Sequence, residues 1–305
     1  MKITSQSRLP NILIVGAMKC ATTSLFKRIA SHPLVYGPSA KEPAFLVPGR
    51  YSDHTCKRLY EKLYEEAEDR PFRLEASTGY TMRPRIDHCA ERARQILGTE
   101  VRIIYMIREP LGRIQSHYKH LLRGGQINDG FAESCRAHPE LITFSRYFYQ
   151  IKPWVDLFGK ERVHLIDFDN FTRNSLSELA LAQKFLQLKE PFPDHECVAN
   201  TAAGLQIIPK WVNLIQRSAF YKTRLAIRLP NKTKQRLKAM LGRTPPMFSD
   251  EYSFDLATYV LDQLRDDYTK LRTLLSFEPE DTNTVWDFER LIEIYAPSAA
   301  RNLES

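Results

Sequence analysis

Two arrangements of apolar positions alternate along the chain. Asn11-Ile-Leu-Ile-Val15 is a short apolar run that ends in the turn Gly16 to Thr23, and a helical pattern follows over Ser24 to Ser31. An apolar run of this length closed by a turn predicts a strand buried on both faces that feeds a helix. The same order recurs at Val101 to Ile107, which leads through Arg108-Glu-Pro110 into a helix reaching about Leu122, with Pro110 suited to the first helical turn. It recurs again at Val163 to Asp167, ahead of a periodic helix from Ser175 to Leu188. Phe72 to Ala76 reads as a further strand, and Thr55 to Ala67 and Pro84 to Leu97 read as amphipathic helices. Strands separated by helices predict an α/β fold with a central, mainly parallel sheet flanked by helices. The last third differs: Pro209 to Arg217, Lys232 to Leu241 and Ser253 to Ser276 are helical in pattern, and no strand stands out. We therefore expect one domain over residues 1–305, with an α/β body at 9–190 and a mostly helical extension at 197–305. Pro191-Phe-Pro193 and Thr244-Pro-Pro246 mark loops within it.

Composition narrows the class. A chain of 305 residues with 43% hydrophobic and 26% charged residues and 12 glycines can bury a sizeable core, which excludes disordered and fibrous proteins. No apolar run approaches the roughly 20 residues that span a bilayer, and Met1 to Asn11 lacks the apolar core of a secretion signal, so the expectation is a cytoplasmic protein. Cys20, Cys56, Cys89, Cys135 and Cys197 are scattered and form no C-x-x-C pair, which argues against a zinc site or a disulfide framework. No histidine or carboxylate cluster has metal-ligand spacing, and no metal is expected.

Charge changes the picture more. The formal net charge is +8, yet the segment from Cys197 to Ser249 has no acidic residue and ten basic ones, so it carries +10 and the remainder −2. That segment fits the rim of an anionic-ligand site, a dock for an anionic acceptor, a contact with a membrane surface or nucleic acid, or a solvated helix face. Arg224, Arg228 and Lys232 interleave with Leu225, Ile227 and Leu229 in a way that also suits acidic lipids. Charge alone leaves these readings open, and ligand-facing use of part of the segment is preferred only on the family resemblance described below; no nucleic-acid partner is expected.

The first strand-to-helix turn carries the chemistry. Phosphate binding uses backbone N–H groups converging at a helix N-terminus, reinforced by a cation and hydroxyls. Gly16 allows the turn, Lys19 supplies charge, and Thr22, Thr23 and Ser24 supply donors. The loop is not of the G-x-x-x-x-G-K-[ST] type, because Lys19 follows the only glycine by three residues. By itself it is equally a turn whose threonines cap a helix. The second element decides between these. Arg108 emerges at a strand's carboxyl end and Ser116 follows on the next helix, where ligands of parallel sheets collect. Two phosphate sites imply a nucleotide phosphorylated at both ends of its ribose. Taken singly, Arg108 and Ser116 would be read as an ion pair and a cap.

These residues resemble a family. Gly16-Ala-Met-Lys-Cys-Ala-Thr-Thr-Ser-Leu25 is similar to the 5′-phosphosulfate loop of sulfotransferases that use 3′-phosphoadenosine 5′-phosphosulfate (PAPS), and Ile107 to Tyr118 is similar to their 3′-phosphate element. The resemblance covers about Leu9 to Leu188, and more weakly Pro246 to Glu251 and the helix ending near Leu275. His32-Pro33, Lys41-Glu42-Pro43-Ala44-Phe45-Leu46 and Glu75-Ala76-Ser77-Thr78-Gly79-Tyr80 resemble the branch of bacterial sulfotransferases and the domains that act on heparan-type glycans. The resemblance implies a P-loop-like three-layer fold and sulfuryl transfer by in-line displacement from PAPS to a hydroxyl of a carbohydrate, lipid or small natural product, releasing 3′,5′-adenosine bisphosphate (PAP). It implies Lys19, Cys20, Ala21, Thr22, Thr23 and Ser24 around the 5′-phosphosulfate, with Arg108 and Ser116 at the 3′-phosphate. Glu42 becomes the base, Lys19 stabilises the leaving phosphate, Lys41 holds sulfuryl oxygens or is a solvated lysine, and Glu75 and Tyr80 line the acceptor side. Glu75 alternatively orients Lys19 or forms an internal ion pair.

Two departures from the family pattern stand out: Ala44 replaces the histidine that usually follows Lys-Glu-x, and Cys20-Ala21 stands where glycine is common. A catalytically idle nucleotide-binding or anion-binding module of the same fold is the alternative. A P-loop kinase would have only Asp167 as metal ligand. His32, His54, His88, His117 and His120 read as structural or exposed, and Tyr147-Phe-Tyr149 as a face for adenine or as core. Acceptor specificity is expected in Gly37 to Arg50, Arg123 to Phe144 and the basic segment.

Overall fold

Ile12–Gly16 (β1) is apolar on both faces and fully buried, as a central parallel strand requires. In the computed structural model, which describes residues 8–67, 70–193, 249–275 and 286–297, it pairs with Phe72–Ala76 (β3) on one side and Arg102–Ile107 (β4) on the other. Val35–Tyr36 (β2) and Val163–Asp167 (β5) complete a five-stranded parallel sheet in the order β2-β3-β1-β4-β5. All five carboxyl ends therefore lie along one edge, and the chain leaves β1 there into Thr22–Ala30 (α1) and leaves β4 into Pro110–Arg123 (α4). Gly16 is required by close approach: a Cβ there would stand 2.0 Å from Thr81 Oγ1 and 2.9 Å from the Tyr105 ring.

Helices Asp53–Leu63 (α2) and Cys89–Leu97 (α3) precede β3 and β4. Phe131–Ala137 (α5), Glu140–Thr143 (α6) and Tyr147–Phe158 (α7) lie between α4 and β5, and Phe168–Arg173 (α8) and Ser175–Leu186 (α9) follow it. The C-terminal Phe254–Leu275 (α10) and Phe288–Tyr295 (α11) return to the body. One apolar cluster surrounds the sheet, with Ile12, Ile14, Leu25, Ile104 and Trp154 in it. A second joins Leu111 and Ile114 of α4 to Phe131, Leu256, Leu261 and Leu291. Among the described residues no helix is long and apolar enough to cross a membrane.

Several boundaries differ from the sequence reading. Helix α1 starts at Thr22, two residues before Ser24, and Thr55 to Ala67 becomes α2 followed by a short 3-10 turn at Glu65–Ala67. The Pro84 to Leu97 pattern is helical only from Cys89. Residues 123–144, where acceptor specificity was expected in a loop, hold α5 and α6 instead, and Phe131, Cys135, Leu141 and Ile142 are buried in the second cluster. Strand β2 and helix α7 were not expected. Helix α7 contains Pro153 and receives its N-terminal cap from far along the chain, where Asp267 accepts Phe148 N–H and Tyr149 N–H at 2.9 Å each. The helical patterns at 209–217 and 232–241, with nearly all of the basic segment, lie outside the described residues.

Candidate functional site

The edge formed by the strand carboxyl ends gathers the residues that the sequence singled out. The first turn of α1 has Ala21 at its N-cap, with no side chain capping it, and Ser24 N–H donates back to Ala21 O at 2.9 Å. Lys19 and Ala21 take φ of 70° and 55°, a left-handed conformation that non-glycine residues seldom adopt. Such backbone is kept where the surroundings enforce it, commonly at functional sites. Cys20 is buried within this loop, and desolvation pushes its thiol up to about 12, which leaves it a neutral packing group.

The Lys41-Glu42 pair joins the loop directly. Lys41 Nζ donates to Thr23 Oγ1 at 2.8 Å and approaches Glu42 Oε1 at 3.2 Å, and Thr78 Oγ1 donates to the same carboxylate oxygen at 3.4 Å. The Glu42 side chain is 47% exposed, so it meets solvent while held on one side by a cation. Glu42 and Ala44 also have left-handed φ, 58° and 52°. They are fixed in it by Glu42 N–H donating to Ala76 O at 3.0 Å and Ala44 N–H donating to Ser77 Oγ at 3.1 Å.

Beneath that loop lies a buried carboxylate. Glu75 accepts hydroxyls from Tyr60, Tyr80 and Ser77, the last at 2.9 Å, and burial raises its pKa above the ordinary value. Ser77 in turn receives Ala44 N–H, and Tyr80 Oη receives Leu46 N–H at 3.2 Å. Glu75 thus anchors the Lys41 to Leu46 stretch through two hydroxyl relays. Glu75 and Tyr80 are only 1% and 2% exposed. Among the described residues Glu75 forms no ion pair.

The β4 side is cationic. Arg108 lies over the Phe168 ring at 4.5 Å, and its carbonyl accepts the Tyr147 hydroxyl at 2.8 Å. On α4, half-buried Ser116 shares a face with His120 and Arg123, which follow it by four and seven residues. Burial, with Arg123, Arg108 and Arg113 as the next causes, lowers the Lys19 pKa. His120 is pulled down by burial and then by Lys19 and Arg123, while the Glu42 charge opposes the shift. Arg113 is fully buried and donates to Ser145 Oγ and Leu141 O, which carry no charge. His117 stacks on Phe144, and burial beside Arg113 brings it to about 2, so it stays neutral. Glu109 and Asp169 offset part of the charge at Arg108, while the cations gathered around Lys19 repel one another, and a polyanionic ligand offsets that repulsion. Arg113, Arg123 and His120 were not singled out for this site by the sequence. Their spacing from Ser116 on one helix was the available signal.

Asp167 ends β5 beside Ile107, where Asn170 N–H donates to its carboxylate at 2.8 Å to cap α8. Among the described residues no group of three or more His, Cys, Asp or Glu side chains is placed to hold a metal ion. Tyr147 is core, and Phe148 and Tyr149 are partly exposed.

The sulfotransferase domain family matches residues 9–200, which takes in the uncapped α1 turn, the Lys41-Glu42 loop and the Arg108 element. The chain belongs to the sulfotransferase domain family. Its sheet and flanking helices are the P-loop-like α/β fold of that family. A mouse protein, heparan sulfate glucosamine 3-O-sulfotransferase 5, is 22% identical over 209 residues, 65% of this chain and 59% of that protein. The match therefore spans less than two thirds of the mouse relative. A bifunctional heparan sulfate N-deacetylase/N-sulfotransferase 1 from Caenorhabditis briggsae is 21% identical over 63% of this chain and 24% of its own length. Among solved structures, a sulfotransferase from Alicyclobacillus acidocaldarius superposes with a TM-score of 0.60 at 22% identity, covering 89% of this chain and 97% of that one.

Proposed function

We propose that this protein transfers a sulfuryl group from PAPS to an acceptor hydroxyl on a carbohydrate, lipid or small natural product, with Glu42 as general base. The observation that carries the proposal is the junction of three pieces at one edge: the uncapped α1 turn with Lys19, the Lys41-Glu42 pair bonded to Thr23, and Arg108 on the neighbouring strand end. An anion with phosphates at both ends of a ribose fits that arrangement, since N–H donors and Lys19 serve one end and Arg108 and Ser116 the other.

The donor supplies an activated sulfuryl group, whose bond to the 5′-phosphate oxygen breaks as the acceptor oxygen bonds to sulfur. Glu42 takes the acceptor's proton, a role that suits a solvent-facing carboxylate within reach of a bound hydroxyl. Lys41 holds Glu42 on one side and Thr23 on the other, and so sets the base against the anion loop. Lys19 stabilises charge on the leaving phosphate, an interaction worth on the order of 10²–10³ in rate. Thr22, Thr23 and Ser24, with the Cys20 and Ala21 backbone, hold the 5′ end. Glu75 and Tyr80 serve the acceptor side by fixing the Lys41 to Leu46 loop from below.

The test is incubation of the full chain with PAPS and an acceptor panel, reading PAP release, together with a thermal shift in PAP. A specific ligand at 100 times its dissociation constant adds about 2.7 kcal/mol of stability. Absence of any shift at millimolar PAP rejects the donor assignment. PAP binding with no turnover on any acceptor would favour an idle binding module.

A further inference from the structure

The residue after Arg108 is a carboxylate that meets the arginine only in a loose ion pair, at 3.7 Å. Glu109 is 8% exposed and caps α4, its Oε1 and Oε2 accepting Gly112 N–H at 2.8 and 2.9 Å. Tyr295, at the end of α11, donates its hydroxyl to Oε1 at 2.6 Å. Arg108 Nε stands 3.7 Å from that same oxygen, beyond hydrogen-bond range, and is buried with no hydrogen-bond partner among the described residues. The three side chains close over one position: a Cβ on Gly112 would stand 2.0 Å from Glu109 Oε1, 2.5 Å from Tyr295 Oη and 2.9 Å from an Arg108 terminal nitrogen.

A carboxylate and a guanidinium this near normally form a close, frequently bidentate pair. Here both acceptor directions of Oε1 are filled, one by Gly112 and one by Tyr295. Helix α11 is held in place to do this, since the Tyr295 ring meets the Tyr252 ring edge-on at 5.8 Å and Tyr252 donates to Leu111 O at 3.0 Å.

We propose that Tyr295 is a positioning residue: by occupying Glu109 Oε1 it keeps the Arg108–Glu109 ion pair from closing into a hydrogen-bonded one and leaves the guanidinium donors to the 3′-phosphate of the bound nucleotide. The proposal rests on the assignment of Arg108 to a 3′-phosphate made above. Without the Tyr295 hydroxyl, Oε1 has a free acceptor direction, and Arg108 Nε closes onto it.

The experiment measures binding of PAP and of adenosine 5′-monophosphate, which lacks the 3′-phosphate, to the full-length chain by calorimetry. Tyr295→Phe should weaken PAP binding about tenfold, the loss of one charge-assisted contact, and leave adenosine monophosphate unchanged. Adding Glu109→Gln to that variant should restore the preference for PAP, because a neutral amide competes poorly for the guanidinium. An unchanged preference in Tyr295→Phe, an equal loss for both nucleotides, or no restoration by Glu109→Gln overturns the proposal. If wild type itself shows no preference for PAP, the Arg108 assignment fails, and the proposal with it. Should Tyr295→Phe melt below the assay temperature, Glu109→Gln alone decides: PAP binding at least as tight as wild type supports the proposal, and weaker binding overturns it.

Discussion

The two halves of the site are built differently. On the β3 side, Lys41, Glu42, Ser77 and Thr78 are held by hydroxyls and backbone amides from within 40 residues of one another, and the buried carboxyl at the base, Glu75, is satisfied by three neutral hydroxyls. On the β4 side, Lys19, Arg108, Arg113 and Arg123 crowd together, and the parts around Arg108 come from α7, α8 and, through Glu109, the C-terminal α11. The general-base role proposed for Glu42 needs fixed geometry and an unspent lone pair, which neutral scaffolding supplies. The anion-binding role proposed for the β4 side needs surplus positive charge, which the fold must restrain until a ligand neutralises it.

The comparison can be broken at its strongest point first. Glu42→Gln should lower turnover by about 10²–10⁴ while PAP affinity stays within a factor of two or so, as read by PAP release and calorimetry. Loss of PAP binding instead would place Glu42 in the nucleotide half. Glu75→Leu leaves the Tyr60, Tyr80 and Ser77 hydroxyls without their acceptor and should cost about 3 kcal/mol in urea unfolding. A cost near zero would mean that the Lys41 to Leu46 loop does not depend on that network.

A pH titration tests the edge of the cationic half. Burial raises Asp167 to about 6, above its ordinary value of 3.8. Its carboxyl therefore contributes fully below pH 4, and the contribution is lost as pH rises through 6. Asp167→Asn, which keeps the cap to Asn170 through its amide oxygen, should raise stability by about 1–3 kcal/mol at pH 8 and by almost nothing at pH 3.5. Equal melting shifts at both pH values would contradict that burial. The smallest effect concerns Lys19. Because burial and neighbouring arginines lower its pKa, PAP binding should weaken as pH rises in the range just under the ordinary lysine value. Calorimetry in buffers of different ionisation enthalpy should show proton uptake on binding there, and Lys19→Met should remove that uptake.

Much of the β3 half was legible in the sequence. Strand Phe72–Ala76 was read with its observed bounds, and the Lys41-Glu42 and Glu75 to Tyr80 stretches were singled out by their resemblance to the motifs of a family. The contacts that join them, across 33 and 36 residues, were not legible. The depth of Glu75 and Tyr80 was not legible, because a lone Glu or Tyr carries no sign of which side of a loop it occupies. On the β4 side the sequence named Arg108 and Ser116 but not Glu109, Arg113, Arg123 or Tyr295. Helix α7 was missed for a related reason: its cap is Asp267, more than a hundred residues away, and its interior contains Pro153.

Residues close together in the chain set the alternation of buried strands and amphipathic helices, the parallel sheet that follows from it, and the turn with Gly16, Lys19 and Thr22 at the end of the first strand. Those properties depend on residues adjacent in the chain, where periodicity and turn chemistry act. Tertiary structure decided which cations meet at Lys19, that Glu75 faces inward, and that a tyrosine 186 residues beyond Glu109 caps its carboxylate. Charge and hydrogen-bond partners act across a few ångströms of space whatever their separation in sequence: α2 brings Tyr60 to Glu75, and the packing of α4 with α10 and α11 brings Tyr295 to Glu109.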